Sequence, residues 1–302
     1  MRASLFATPY LALTASVAVF AVLAPVSAQS LTPTQSLTPI EKVLPVSCPA
    51  SKTLSKLSSP LSHVSANLRA GEPVVIVAIG SSSTAGAGAT NPANSYPSRL
   101  QAMLKERFPG ADITVVNRGM NGQDAPEMLA RFDADVVPLK PTLVLWQAGV
   151  NALFRDNGLA TAELLLREAI QRIKAINADM MIIDPQYSPK VLADADIGPM
   201  IRLIDNIGTE QGVGVYHRFA LMREWHETSK MAFNAFLWKD NFHMNDWGYD
   251  CFARDLGRAM AANVDAQQRS ADVTVDALPR TSTSAIPASS ASAAVMPPTL
   301  AR

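Results

Sequence analysis

The chain has 302 residues, 48% of them hydrophobic, and its 26 lysines and arginines balance 26 aspartates and glutamates. That much apolar content excludes a disordered chain over most of its length. The even charge balance, with no basic stripe, gives no reason to expect nucleic acid or an anionic membrane surface as a partner.

Arg2 precedes the apolar stretch "LALTASVAVFAVLA" and then "PVSAQS", with small residues at Val26-Ser27-Ala28. The stretch is short of the roughly 20 residues a bilayer span needs, and the pattern is that of a secretory signal peptide over residues 1–28. This predicts a periplasmic or secreted protein with no stable membrane insertion once the signal is removed. Residues 29–70 form a lead-in rich in Ser, Thr and Pro, in which "SKTLSKLSSPLSHVSANLRA" offers one helix. Cys48 and Cys251 are the two cysteines. An oxidising compartment allows them to form one disulfide, with two buried thiols as the alternative. From residue 265 the chain drifts into "TSTSAIPASSASAAVMPP", which reads as a low-complexity, disordered tail.

Between these ends, residues 71–264 read as one domain. Strands are predicted at "VVIVAI" (74–79), "DITVV" (112–116), "TLVLWQ" (142–147), "DMMIID" (179–184) and "GVGVY" (212–216). Their unbroken apolar character fits strands covered on both faces, hence a mainly parallel sheet. "SYPSRLQAMLKERF", "TAELLLREAIQRIKAI" and "IGPMIRLIDNIGTEQ" read as helices, the second with Leu166, Ile170, Ile173 and Ile176 on one stripe. Alternating strands and helices imply an α/β fold, a three-layer α/β/α sandwich on five strands. In such sheets functional groups collect at the carboxyl ends of the strands.

Four blocks occupy such places. Gly80-Ser81-Ser82-Ser83-Thr84 follows the first strand, Asn117-Arg118-Gly119-Met120-Asn121-Gly122 the second, and Gly149-Val150-Asn151 the third. "KDNFHMNDWGYDCF", with Asp240 and His243, precedes the last helix. The first block is not a phosphate-binding loop, because no lysine follows its glycines and Gly86-Ala87-Gly88 lacks the third glycine of a dinucleotide fingerprint. A serine nucleophile needs a base, an acid to orient that base, and donors for the oxyanion. Asp240 and His243, three residues apart, can present both side chains on one side of a turn. His63, His217 and His226 are the other histidines, and none has the same acid spacing. Singly, each block has a plainer reading: Ser82 as a turn or cap residue, Gly122 as a positive-φ position, Asn151 as a turn residue, Asp240 with His243 as a surface ion pair.

Taken together and in this order, the blocks resemble those of the SGNH hydrolases, or GDSL-type esterases and lipases, over residues 75 to 260. The family's G-D-S-x-T aligns with Gly80 to Thr84, which singles out Ser82 within the serine triplet. Its oxyanion glycine aligns with Gly122, its G-x-N-D with Gly149-Val150-Asn151, and its D-x-x-H with Asp240 to His243. The resemblance implies a flavodoxin-like sheet, with Ser82, Asp240 and His243 as catalytic residues. It further implies an oxyanion hole from Ser82, Gly122 and Asn151. Two positions depart from the pattern, Ser81 and Ala152, where the family has Asp. No G-x-S-x-G elbow and no S-x-x-K is present.

The implied reaction needs no cofactor and no metal. The implied partner is an ester substrate, an acylated glycan being preferred because Trp238 and Trp247 flank the Asp240/His243 segment and no long apolar lid segment marks a lipase. A glycan O-acyltransferase, a lipase or small-molecule esterase, and a non-catalytic glycan-binding module are the other readings.

Overall fold

A computed structural model describes residues 47–49, 56–156 and 158–276 of the chain. The signal-peptide segment, most of the lead-in and the tail beyond Asp276 lie outside the described residues. The N-terminal half contains α1 (Ser62–Ala70), β1 (Val74–Gly80), α2 (Ser82–Ala85), α3 (Tyr96–Arg107), β2 (Ile113–Gly119), α4 (Ala125–Ala130), α5 (Phe132–Asp135) and β3 (Leu143–Gln147). There follow α6 (Gly158–Ala175), β4 (Asp179–Ile183), α7 (Pro189–Leu192), α8 (Ile197–Gln211), β5 (Gly214–Tyr216), α9 (Arg218–Arg223), α10 (Phe233–Phe236) and α11 (Asp246–Asp276).

The five strands form one wholly parallel sheet in the order β2-β1-β3-β4-β5. Successive strand residues point to opposite faces, and here both faces are apolar. Ile76, Ala78, Leu143, Leu145, Met181 and Ile183 join one core, together with Tyr96, Leu100 and Leu104 of α3 and Phe252, Leu256 and Val264 of α11. Val77, Ile79, Val144, Trp146, Met180 and Ile182 join the other, with Met128 of α4, Leu166, Ile170 and Ile173 of α6, and Ile204 and Ile207 of α8. Each face is therefore covered by helices, as an all-parallel sheet requires. The strand order reverses between β1 and β3, which opens a crevice at their carboxyl ends.

Besides shifts of one to three residues at other element ends, three boundaries change what belongs to the domain or its strand pairing. β2 continues past Val116 to Gly119, because β1 remains extended to Gly80 and the two strands pair in register to that point. The lead-in is not wholly outside the folded domain. Leu61 and Val64 are buried in the core, and the carboxylate of Asp179 accepts from the N–H groups of His63 and Val64 at the first turn of α1. At the other end α11 does not stop at Val264 but runs to Asp276, so residues 265–276 belong to a helix rather than to a disordered tail. Val264 and Met260 seat its middle in the core, and Arg107 of α3 holds its continuation through Asp265 at 2.6 Å.

Cys48 and Cys251 are joined in a disulfide with Cα atoms 5.3 Å apart. It ties the start of the described chain to the buried face of α11.

Candidate active site

Ser82 is the first residue of α2, at the carboxyl end of β1, and is buried to 6% exposure. The one-turn helix is closed by N–H groups of Thr84 and Ala85 donating to the Ser81 carbonyl, and by Gly86 in the left-handed region. The turn is braced from below by β3. The side-chain oxygen of Gln147 accepts from the backbone N–H and the hydroxyl of Ser81, each at 3.0 Å, and from the hydroxyl of Thr84 at 3.3 Å.

His243 reaches this serine from the opposite end of the chain. Its Nε2 lies 2.8 Å from Ser82 Oγ, and its Nδ1 lies 2.6 Å from Asp240 Oδ2. The other oxygen of Asp240 accepts from the backbone N–H groups of Phe242 and His243, both at 3.0 Å. Partial burial acts to raise the Asp240 pKa, but the hydrogen bonds from the His243 ring and these two N–H groups outweigh it and hold the carboxyl below its ordinary value. Asp240 therefore stays ionised, and an ionised partner fixes the proton of the imidazole on Nδ1. Nε2 is left as an acceptor facing the hydroxyl.

The segment carrying Asp240 and His243 is anchored on several sides. Leu237 and Met244 form an antiparallel bridge, and Trp238 N–H donates to the His243 carbonyl. The Tyr249 hydroxyl, at the start of α11, donates to Ala87 in the loop after α2. Asp246 accepts from the N–H and hydroxyl of Thr90 and from the amide of Asn94.

Gly122 lies in the turn beyond β2 with φ +76°, and Asn151 follows β3. The Asn151 side-chain amide donates one hydrogen to the Gln123 carbonyl at 2.7 Å, which leaves the second free to turn toward a substrate oxygen. Arg155 clamps the same turn, donating to the Gly122 carbonyl and to Glu127. The structure thus brings the segments of Ser82, Gly122, Asn151, Asp240 and His243 to the carboxyl edge of β1, β2 and β3.

The two tryptophans separate. Trp238 is 38% exposed, and its Cβ stands beside Gly88 and His243 at the rim. Trp247, the other possible substrate contact, is half-buried and packed rather than open. It packs edge-on to the buried Trp225 at 5.2 Å, because the first turn of α11 places it on the helix face that meets the core. The other histidines are engaged elsewhere. His63 pairs with Asp179, His217 lies near Asp184 and Asp205, and the ring of His226 bonds the Met231 carbonyl and stacks on Phe233.

Several supporting residues escaped the sequence reading. Gln147, Arg155 and Asp246 act across 66, 33 and 156 positions of sequence, and no local pattern marks them. Phe242 and Phe154 form an edge-to-face pair at 5.7 Å, and Phe242 also meets the His243 ring at 4.5 Å.

Comparisons with known proteins agree with this architecture. The acetylxylan esterase of Geobacillus stearothermophilus is 25% identical over 123 residues, which are 37% of this chain and 54% of that protein. The chain thus spans about half the length of the curated relative it matches. A solved structure of an acetylxylan esterase from Geobacillus stearothermophilus superposes with a TM-score of 0.54 at 21% identity, covering 62% of this chain and 94% of that one. Variants of that protein described as catalytic mutants replace a serine, an aspartate, and a histidine three positions after the aspartate. A two-domain esterase active on acetylated mannans superposes with a TM-score of 0.58 at 19% identity, over 71% of this chain and 57% of that one. A family model described as the non-GDSL lipase-like family matches residues 47–266. That description accords with Ser81, which stands where the GDSL block carries its aspartate, and by this match the chain belongs to the non-GDSL lipase-like family.

Proposed function

We propose that this protein is an exported serine esterase that removes acetyl or other short acyl groups from a carbohydrate. The observation that carries the reading is the unbroken relay from Asp240 through His243 to Ser82, with contacts of 2.6 and 2.8 Å. Ser82 Oγ attacks the ester carbonyl while His243 Nε2 takes its proton, and Asp240 holds the imidazole tautomer and stabilises the imidazolium. The backbone N–H groups of Ser82 and Gly122 and the free amide hydrogen of Asn151 receive the oxyanion. The imidazolium gives its proton to the sugar's ester oxygen as the C–O bond breaks, and the sugar leaves as a free hydroxyl. Water, deprotonated by His243, then attacks the acyl-serine, and the proton returns to Ser82 Oγ as the free acid leaves. No step calls for a metal or an organic cofactor.

The carbohydrate assignment draws support from the relatives, which are esterases of acetylated xylan and acetylated mannan. Export rests on the signal-like segment over residues 1–28 and agrees with the Cys48–Cys251 bond. The test is a panel of acetylated xylan, acetylated mannan, fatty-acyl esters and p-nitrophenyl acetate, assayed with wild type and with Ser82→Ala and His243→Ala. Free acetate from the acetylated glycans, lost in both variants, together with labelling of Ser82 by a fluorophosphonate, is the expected result. Persistent turnover in Ser82→Ala rejects the assignment. Acyl groups appearing on a second glycan instead of as free acid would make the enzyme a transferase.

A further inference from the structure

The rim of the site carries a charge arrangement that the relay does not use. Among the described residues the exposed large apolar side chains are Met120, Val137, Phe154, Leu164, Leu192 and Trp238. Of these, Met120, Phe154 and Trp238 lie on the three loops that bear Gly122, Asn151 and His243. Apolar side chains gathered at one mouth of a molecule mark a binding surface, whereas scattered ones do not.

Lysines stand over these rings. The Lys190 ammonium lies 5.1 Å from the centre of Phe154 and 4.7 Å from that of Phe242. The Lys239 ammonium lies 5.5 Å from the centre of Trp238. Lys190 is exposed, and among the described residues its ammonium pairs with no carboxylate. Its backbone is fixed nonetheless, because the next residue, Val191, is fully buried against Phe242 and Val150. Two rings hold a long, flexible side chain in one place, so less of its freedom remains to be lost when its N–H groups meet an anion. Phe242 also touches the His243 imidazole, so Lys190 and the base are neighbours of one phenyl ring.

We propose that Lys190, seated on Phe154 and Phe242, binds the carboxylate of a uronic-acid residue, making the substrate an acylated acidic polysaccharide rather than a neutral one. The proposal rests on the esterase reading and narrows its substrate. The exposed parts of the Phe154 and Trp238 rings suit the C–H surface of a pyranose, while an ammonium suits an anion. A uronate supplies both within the width of one sugar. A fatty-acyl ester would use the apolar faces and leave the ammonium without a counter-charge.

The experiment compares acetylated galacturonan oligomers with acetylated xylan oligomers of equal acetyl content, using wild type, Lys190→Glu and Lys190→Arg. The expected result is a higher kcat/KM on the acidic oligomer in wild type. The acidic-to-neutral ratio should fall at least tenfold in Lys190→Glu, chiefly through KM, and be largely restored in Lys190→Arg. A ratio unmoved by Lys190→Glu, or a wild type that prefers the neutral oligomer, overturns the proposal. Binding of the same oligomers to Ser82→Ala and to Ser82→Ala/Lys190→Glu gives a readout independent of turnover. Tighter binding of the acidic oligomer, lost with the glutamate, supports the subsite even if no ester is cleaved. Equal binding of both oligomers removes the subsite and leaves the esterase reading to be judged on p-nitrophenyl acetate.

Discussion

The carboxamide oxygen of Gln147 accepts both the backbone N–H and the hydroxyl of Ser81, the residue immediately before the proposed nucleophile. Because the backbone N–H can only donate, this contact fixes which end of the amide faces the turn. Gln147 is fully buried in β3 and Ser81 is buried beside it. The pair replaces the arrangement expected where an aspartate precedes the nucleophile, since an anionic acceptor at position 81 would face the Gln147 oxygen. Gln147→Leu should therefore deprive three buried donors, the Ser81 N–H and the hydroxyls of Ser81 and Thr84, of this acceptor, at a cost of about 1–3 kcal/mol for each left unpaired. We expect a lower Tm together with a fall in kcat on p-nitrophenyl acetate that exceeds any change in KM. Ser81→Asp should behave similarly, and full activity in Ser81→Asp would show that the pair does not position Ser82.

Gly88 and Gly110 both have φ near +90°, but only Gly88 touches the site. A Cβ at Gly88 would lie 2.4 Å from the Met244 carbonyl oxygen and 3.1 Å from His243 Cβ, whereas at Gly110 it would meet nothing within 4 Å. Alanine in the left-handed region costs about 1–2 kcal/mol at either position. Gly88→Ala must in addition displace the His243 segment. The expectation is an equal or larger loss of stability in Gly88→Ala with at least a tenfold loss of kcat, and near-normal kcat in Gly110→Ala. Both are read from steady-state kinetics beside thermal melts.

Asn151 donates one amide hydrogen to Gln123 and holds the other in reserve. Asn151→Ala removes the brace and the proposed oxyanion donor at once, and the usual cost of one such donor is about 10²–10³ in kcat. Arg155→Met removes only a brace of the same turn, through Gly122 and Glu127. A much smaller loss in Arg155→Met than in Asn151→Ala would separate donation from bracing, and equal losses would assign both residues to the turn's geometry.

Much of this layout is legible in the sequence, for a physical reason. β1, β3 and β4 are buried on both faces, so they appear as unbroken apolar runs, and the strand-end rule then directs attention to Ser82, Gly122 and Asn151. Asp240 and His243 are legible because three-residue spacing is a local property. What was illegible depends on pairings that topology alone creates. Gln147 faces Ser81, Lys190 rests on Phe154, and the extra length of β2 follows from its register with β1. Whether Trp247 packs or stands open is likewise illegible, because the sequence does not say which face of α11 meets the core.

His217 is held near two carboxylates, Asp184 at 3.8 Å and Asp205 at 3.5 Å. The nearby Asp184 carboxylate raises its pKa, burial acts against that rise, and the charge of Asp205 adds to it. Burial raises the Asp184 carboxyl as well, against the pull of His217, the Phe219 N–H and Arg218. For His217 the stabilisation is complete below the unfolded imidazole value of about 6.5 and is lost as pH rises through the higher folded value. Asp184 contributes in the same direction in a more acidic window, from about pH 4 upward. Tm should therefore decline from about pH 6.5 toward mildly alkaline conditions, and His217→Gln should flatten that part of the profile. A decline of the same size in His217→Gln would assign it to other groups.

The Cys48–Cys251 bond closes a loop of 203 positions around the whole sheet. Without it, the segment ahead of α1 is held by partly buried Cys48 and Leu57 against the core and by the Asn263 side chain, which binds Ser59 and Leu61. Cys251 itself sits on the buried face of α11, two residues after Tyr249, whose hydroxyl reaches the loop behind Ser82. Losing a native disulfide typically costs about 2–5 kcal/mol, mostly by freeing the unfolded chain. In a domain of this size each kcal/mol lowers Tm by about 2–4 °C. Cys48→Ser/Cys251→Ser, or full reduction, should lower Tm by roughly 5–15 °C while kcat well below the melt stays near wild type. The folded core positions α11 without the bond, so the loss should fall on stability alone. A drop in kcat at low temperature, with the fold intact by circular dichroism, would instead make the bond part of the scaffold that sets the His243 segment.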